Sequence, residues 1–124
     1  MVLRFVPRLL ACLFAVLLAG CGDTSASPSW TRDMATVREA ELPAEARETL
    51  RLIDQGGPFP YARDGAVFGN FERLLPTHER GYYREYTVRT PGSRDRGARR
   101  IVTGRGGEIY YTDDHYDSFR AVLR

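Results

Sequence analysis

What most constrains this chain is a run of short β-forming segments with turn clusters between them. Tyr82 to Thr90 is rich in β-formers, Ala98 to Thr103 is a second such run and Glu108 to Thr112 a third. Pro91-Gly92-Ser93 and Gly104 to Gly107 supply the turns. Strands joined by connections this short pair antiparallel. Ala66-Val67-Phe68, after the turn Arg63-Asp64-Gly65, is a further short strand. Such a sheet needs a cover, and Pro43 to Asp54 offers one: Ala46, Leu50 and Ile53 recur at helical spacing, Pro43 stands at the start, and Gln55-Gly56-Gly57-Pro58 stops the helix. The expected fold class is α+β, one N-terminal amphipathic helix packed on a twisted antiparallel β-sheet.

A chain of 124 residues has room for one such domain and a leader. Residues 1–20 read as an export signal, with Arg4 and Arg8 before an apolar run from Leu9 to Ala19 that is short for a membrane span. The run ends in Leu18-Ala19-Gly20-Cys21, which resembles a bacterial lipobox. Cys21 is then the expected lipidation site, and the protein is expected to be exported, either anchored to the cell envelope by that lipid or secreted. A conventional signal peptide cut nearby is the alternative. Cys12 lies in the leader, so a lipidated Cys21 leaves no thiol for a disulfide, a nucleophile or a metal. Residues 21–40 are dominated by Ser, Thr, Asp, Pro and Arg and read as a flexible linker, with no role assigned to Trp30, Met34 or Val37. The folded domain is expected over residues 41–124.

Charge gives little at first sight. Of the 18 basic residues two are Arg4 and Arg8, so the body beyond the leader carries equal numbers of basic and acidic side chains. A protein that grips a long duplex is excluded by that balance and by size. The distribution is uneven, however: Arg94, Arg96, Arg99 and Arg100 crowd one loop and the strand after it, with only Asp95 against them. Guanidinium forks match phosphate oxygens and stay charged at every relevant pH, so the cluster reads either as an anion site or as a solvated basic loop.

Along Tyr82–Thr90, Tyr83, Glu85, Thr87 and Arg89 share one face. Glu85 can be the carboxylate of a site or half of a cross-strand pair with Arg99 or Arg100, one of which shares its face. His115, in Thr112-Asp113-Asp114-His115-Tyr116, is the natural titrating acid near neutral pH, and Glu85 its natural base partner. His78 reads as a surface residue. With two histidines in all, neither a metal site nor a cofactor is expected.

The order of these segments resembles the secreted microbial guanyl-preferring ribonucleases, the N1/T1 superfamily, in its barnase-like actinobacterial branch. The blocks that carry the resemblance include Gly57-Pro58-Phe59-Pro60-Tyr61, Asp64 to Phe68, Gly81 to Val88, Arg96 to Val102 and Tyr110 to Tyr116. The resemblance implies catalytic roles for Glu85 as general base, His115 as general acid, and Arg96 and Arg100 as phosphate ligands, with Tyr116 lining the pocket. It implies cleavage of single-stranded RNA 3′ of guanosine, by transesterification to a 2′,3′-cyclic phosphate that is then hydrolysed.

The base-recognition loop is where the chain departs from that pattern. Phe68-Gly69-Asn70-Phe71-Glu72 stands where the family has Phe-polar-Asn-Arg-Glu. Phe68, Asn70 and Glu72 keep the guanine code in outline, whereas Gly69 and Phe71 alter its rigidity or stacking. The resemblance also implies a monomer whose partners are RNA and an acidic proteinaceous inhibitor, with a membrane reached only through the lipid. A catalytically weak RNA- or nucleotide-binding domain with a drifted base loop is the alternative from another class.

Overall fold

The computed structural model describes residues 28–31 and 33–124. The leader and Cys21 lie outside the described residues. Six strands form one sheet: β1 (Thr36–Arg38), β2 (Ala66–Phe68), β3 (Tyr83–Thr87), β4 (Arg100–Gly104), β5 (Ile109–Thr112) and β6 (Arg120–Leu123), in the spatial order β1-β6-β5-β4-β3-β2. All neighbours pair antiparallel except β1 and β6, which run parallel. One helix, α1 (Ala44–Gln55), covers one face. The α+β class read from the sequence is the observed one.

Helix α1 begins where the Pro43 carbonyl accepts from the Ala46 and Arg47 amides, and ends on Gly56. Gly56 takes φ +83°, which lets its own amide and that of Gly57 return to Ile53 and Leu52. Twelve residues are marginal as an isolated helix, so packing must hold it. Ala46 and Leu50 are fully buried against Val88, Ile101, Tyr111 and Val122. Sinking the Leu50 side chain alone contributes about 2 kcal/mol. A second cluster, around Leu75, Tyr83, Val102, Tyr110 and Phe119, lies on the opposite face of the sheet. Among the described residues that face is covered by loops and the short 3-10 turn Ser29–Thr31 rather than by α1, and strand alternation sends Glu85 there beside Tyr83.

Two boundaries differ from the sequence expectation. The segment read as a linker to residue 40 is ordered at its C-terminal end: Thr36–Arg38 pairs with Ala121–Leu123, and Ala35 accepts from the Ala121 amide. Strands of three and four residues that pair with the far end of the chain carry no local pattern, so periodicity does not reveal β1 and β6. Strand β3 also stops at Thr87, short of Thr90, because its partner β4 begins at Arg100, opposite Thr87. No cysteine lies among the described residues. The C-terminus is tied down by Arg124, which donates to Glu39 at 2.8 Å and to both oxygens of Asp54 at 3.0 and 2.6 Å. These pairs are partly exposed and contribute at most about 1 kcal/mol each.

Candidate active site

The register of β3 and β4 decides which arginine meets Glu85. Thr87 opposes Arg100 and Glu85 opposes Val102, so Arg100 projects on the Glu85 face and Arg99 on the helix face. Arg99 there approaches Glu45 of α1 at 3.8 Å. The four clustered arginines are therefore not one site. Arg94 is an exposed loop residue, Arg99 belongs to the helix side, and only Arg96 and Arg100 share the face with Glu85.

Arg100 is 2% exposed. Its Nη1 donates to the carbonyls of Gly97 at 3.0 Å and Arg99 at 2.8 Å, while Nε is buried without a hydrogen-bond partner. No carboxylate among the described residues forms an ion pair with it. A desolvated cation without a counter-ion is costly to keep, and it binds an arriving anion correspondingly well. Arg96 is oriented by Thr87, whose hydroxyl accepts from its Nη1 at 2.9 Å. Thr87 is itself fixed at both backbone atoms: its amide donates to Asp64 at 2.8 Å and its carbonyl accepts from the Thr49 hydroxyl at 3.2 Å. Thr87 is a functional residue that the sequence marks only by its place two residues along the same face from Glu85.

Glu85 is 8% exposed, so it is not half of a solvated surface pair. One carboxylate oxygen accepts from the Tyr116 hydroxyl at 2.7 Å. Burial, and next the Glu85 carboxylate, hold the Tyr116 phenol well above its ordinary pKa, which keeps it a donor across the working range. The Arg100 guanidinium lies 5.9 Å from the centre of the Tyr116 ring. Phe68 stacks on the same ring at 5.0 Å, which joins the base-loop segment to the Glu85–Arg100 pair.

His115 and Tyr116 both adopt positive φ, +56° and +76°. Non-glycine residues in this region cost about 1 kcal/mol or more each, so the surrounding turn must impose it. Thr112 and Asp114 do so. The Thr112 hydroxyl donates to Asp114 and accepts from the Tyr116 amide, and Asp114 also accepts from the amide and hydroxyl of Ser118. The His115 amide donates to Ala98 in the arginine loop. The His115 ring is exposed, 5.0 Å from that of Tyr116.

Hydrogen bonds from Ser118 and Thr112 hold the Asp114 carboxyl down to about 2. A lowered folded-state value means that the turn's stabilisation is complete above the unfolded value near 4 and is lost as pH falls toward 2. Thermal melts between pH 6 and 2 are expected to show a smaller loss for Asp114→Asn than for the parent chain, from a lower starting Tm. Equal pH slopes for the two proteins would remove Asp114 from this role.

The base loop is organised by Asn70, at φ +54°. Its amide nitrogen donates to Leu75 at 2.9 Å and its oxygen accepts from the Leu75 amide at 3.1 Å. With both ends of its side-chain amide engaged by the Leu75 backbone, Asn70 fixes the shape of the loop. Phe71 is 83% exposed and folds over Gly69, where an added Cβ would lie 2.6 Å from the ring. The two departures in this loop are thus one structural unit. Phe68, Asn70, Phe71, Glu72 and Tyr116 are among the residues that line a cavity of about 290 Å³ beside Glu85, suited in size to one planar base.

Known proteins resemble this chain over most of its length. The family model described as ribonuclease matches residues 25–123. The chain is 54% identical over 105 residues to guanyl-specific ribonuclease St of Saccharopolyspora erythraea, covering 85% of this chain and 97% of that one. It is 57% identical over 88 residues to guanyl-specific ribonuclease Sa of Kitasatospora aureofaciens, covering 70% and 92%. Among solved structures, that of ribonuclease Sa2 with guanosine-2′-cyclophosphate superposes with a TM-score of 0.70 at 51% identity, covering 73% of this chain and 96% of that one. A match across almost all the described residues, together with relatives covered nearly end to end, shows that this chain belongs to the ribonuclease family.

Proposed function

We infer that the protein is a guanyl-preferring endoribonuclease that needs no metal for its proton chemistry. The observation that carries this reading is the juxtaposition of a buried carboxylate, Glu85, with a buried guanidinium, Arg100, which forms no ion pair with a carboxylate among the described residues. Glu85 takes the proton of the ribose 2′-OH. The 2′ oxygen attacks the adjacent phosphorus, the bond to the 5′ oxygen breaks, and His115 gives its proton to that departing oxygen. A 2′,3′-cyclic phosphate and a free 5′-hydroxyl result. In the second step water attacks the cyclic phosphate, His115 takes its proton, and Glu85 returns one to the 2′ oxygen. Arg100 and Arg96 hold the phosphoryl oxygens as charge accumulates on them. Tyr116 donates to Glu85 and keeps the unprotonated oxygen aimed at the ribose. DNA lacks the nucleophile and is not cleaved.

Guanine preference rests on Glu72 at the mouth of the base cavity, where its carboxylate can accept from the N1 and N2 hydrogens. Phe71, beside it, stacks on the exposed face of the base. Initial rates on GpU, ApU and UpU test activity and preference together. GpU is expected to lead by about 100-fold or more, the scale of discrimination by a site that hydrogen-bonds its ligand's edge. Glu72→Gln should erase most of that lead and leave the rate on ApU unchanged. Saturable binding of GpU without release of a cyclic phosphate would favour the weak-binding alternative.

The leader and Leu18-Ala19-Gly20-Cys21 support export, with a lipid on Cys21 or release of the chain. Any inhibitor for such an enzyme is an acidic protein that covers Arg96, Arg100 and the base cavity.

A further inference from the structure

A second cavity, of about 560 Å³, adjoins the base cavity, and nothing in the chemistry above uses it. Trp30 and Met34, from the segment that precedes β1, line it. This segment is built into the fold. The Thr31 side chain is 1% exposed and donates to the Pro28 carbonyl, the Met34 amide returns to Thr31, and Trp30 packs edge-on against Tyr110 at 5.4 Å. The base loop also lines the cavity, through Arg73 and Leu74. Leu74 is 44% exposed and, with Phe119, lines both cavities.

We propose that this groove is a second nucleotide subsite, which receives the nucleotide joined to the 5′ side of the guanosine. The proposal rests on the ribonuclease reading above and extends it. RNA leaves a bound guanosine in two directions. The 3′ phosphate lies with Glu85, Arg96, Arg100 and His115, none of which lines the second cavity. The groove touches only the base side of the site, so the 5′ oxygen is the end that leads into it.

Its chemistry suits a nucleotide. Trp30 and Met34 offer an aromatic and a polarisable surface to the flat face of a base. The carboxylates of Asp33 and Asp117 can accept from exocyclic amino groups, which favours adenine, guanine or cytosine over uracil. Arg73 supplies the one positive charge, at the loop between the two cavities, where the connecting phosphate must pass.

The protein contains one tryptophan, so the groove reports on itself. The non-cleavable products 3′-GMP and ApGp are titrated while Trp30 fluorescence is followed. ApGp is expected to change the emission and to bind about tenfold tighter than 3′-GMP, the scale of one base stacked on an aromatic ring. ApGpU should show a similar advantage in kcat/KM over GpU. Trp30→Ala should abolish both advantages and leave the rate on GpU as it was. If Trp30→Ala lowers Tm enough to confuse the comparison, Arg73→Gln should reduce the ApGp advantage with the core intact. Equal affinity for the two products with unchanged emission overturns the subsite. Failure of 3′-GMP to bind at all would instead count against the guanine site on which it rests.

Discussion

Glu85→Gln is expected to lower kcat/KM on GpU by about 1,000-fold, within the usual range for loss of a general base. The substitution keeps the shape and leaves an oxygen to accept from Tyr116, so the core around β3 should hold and Tm should change little. In the proposed reaction His115 handles the other proton, and its replacement must respect a backbone at φ +56°. Asparagine tolerates that conformation, so His115→Asn isolates the chemistry from the strain. It should cost a comparable factor on GpU. The two losses separate on a substrate whose leaving group needs no proton, such as the 4-nitrophenyl ester of guanosine 3′-phosphate. There His115→Asn should recover most of its rate, whereas Glu85→Gln should not. Recovery by both variants, or by neither, would mean that the proton roles are assigned wrongly.

The second large effect is at Arg100. Its guanidinium is held by the carbonyls of Gly97 and Arg99, which fixes it in place before any phosphate arrives. A charge already positioned and dehydrated stabilises a transition state without reorganising, and removal of such a group costs about 100- to 1,000-fold. Arg100→Lys is the sharper test, because it retains the charge but loses the rigid planar fork that lets one group bind two carbonyls and still face a phosphate. Its kcat/KM should fall by about 100-fold. Inorganic phosphate supplies a readout independent of turnover: the parent protein should gain Tm as phosphate rises, by linkage to the folded state, and Arg100→Lys should gain much less. If the two proteins respond equally to phosphate, the anion is held elsewhere.

Much of this was legible along the chain because it is local. Apolar spacing in Pro43–Asp54 fixes a helix, and β-rich runs between Gly and Pro clusters fix β3, β4 and β5 within a few residues. The order of the blocks pointed to the family and, through it, to Glu85, Arg96, Arg100 and His115. Periodicity alone could not separate a catalytic Glu85 from a surface ion pair, because alternation assigns a residue to a face but does not say what covers that face.

Tertiary structure decided the rest. Register across β3 and β4 divided the arginine cluster, sending Arg99 to Glu45 and Arg100 to the site. Pairing of β1 with β6 drew the segment read as a linker into the sheet and brought Trp30 against Tyr110. Packing placed the Phe71 ring over Gly69. Each of these depends on contacts between residues far apart in the chain, whose partners no local pattern can specify. The sequence by itself determined the succession from α1 through β5, the residue types available for proton transfer and phosphate binding, and the near-neutral balance of the body. Only the fold determined which of those charges are buried together, and burial turns a carboxylate and a guanidinium from solvated surface groups into a site, because water no longer screens them.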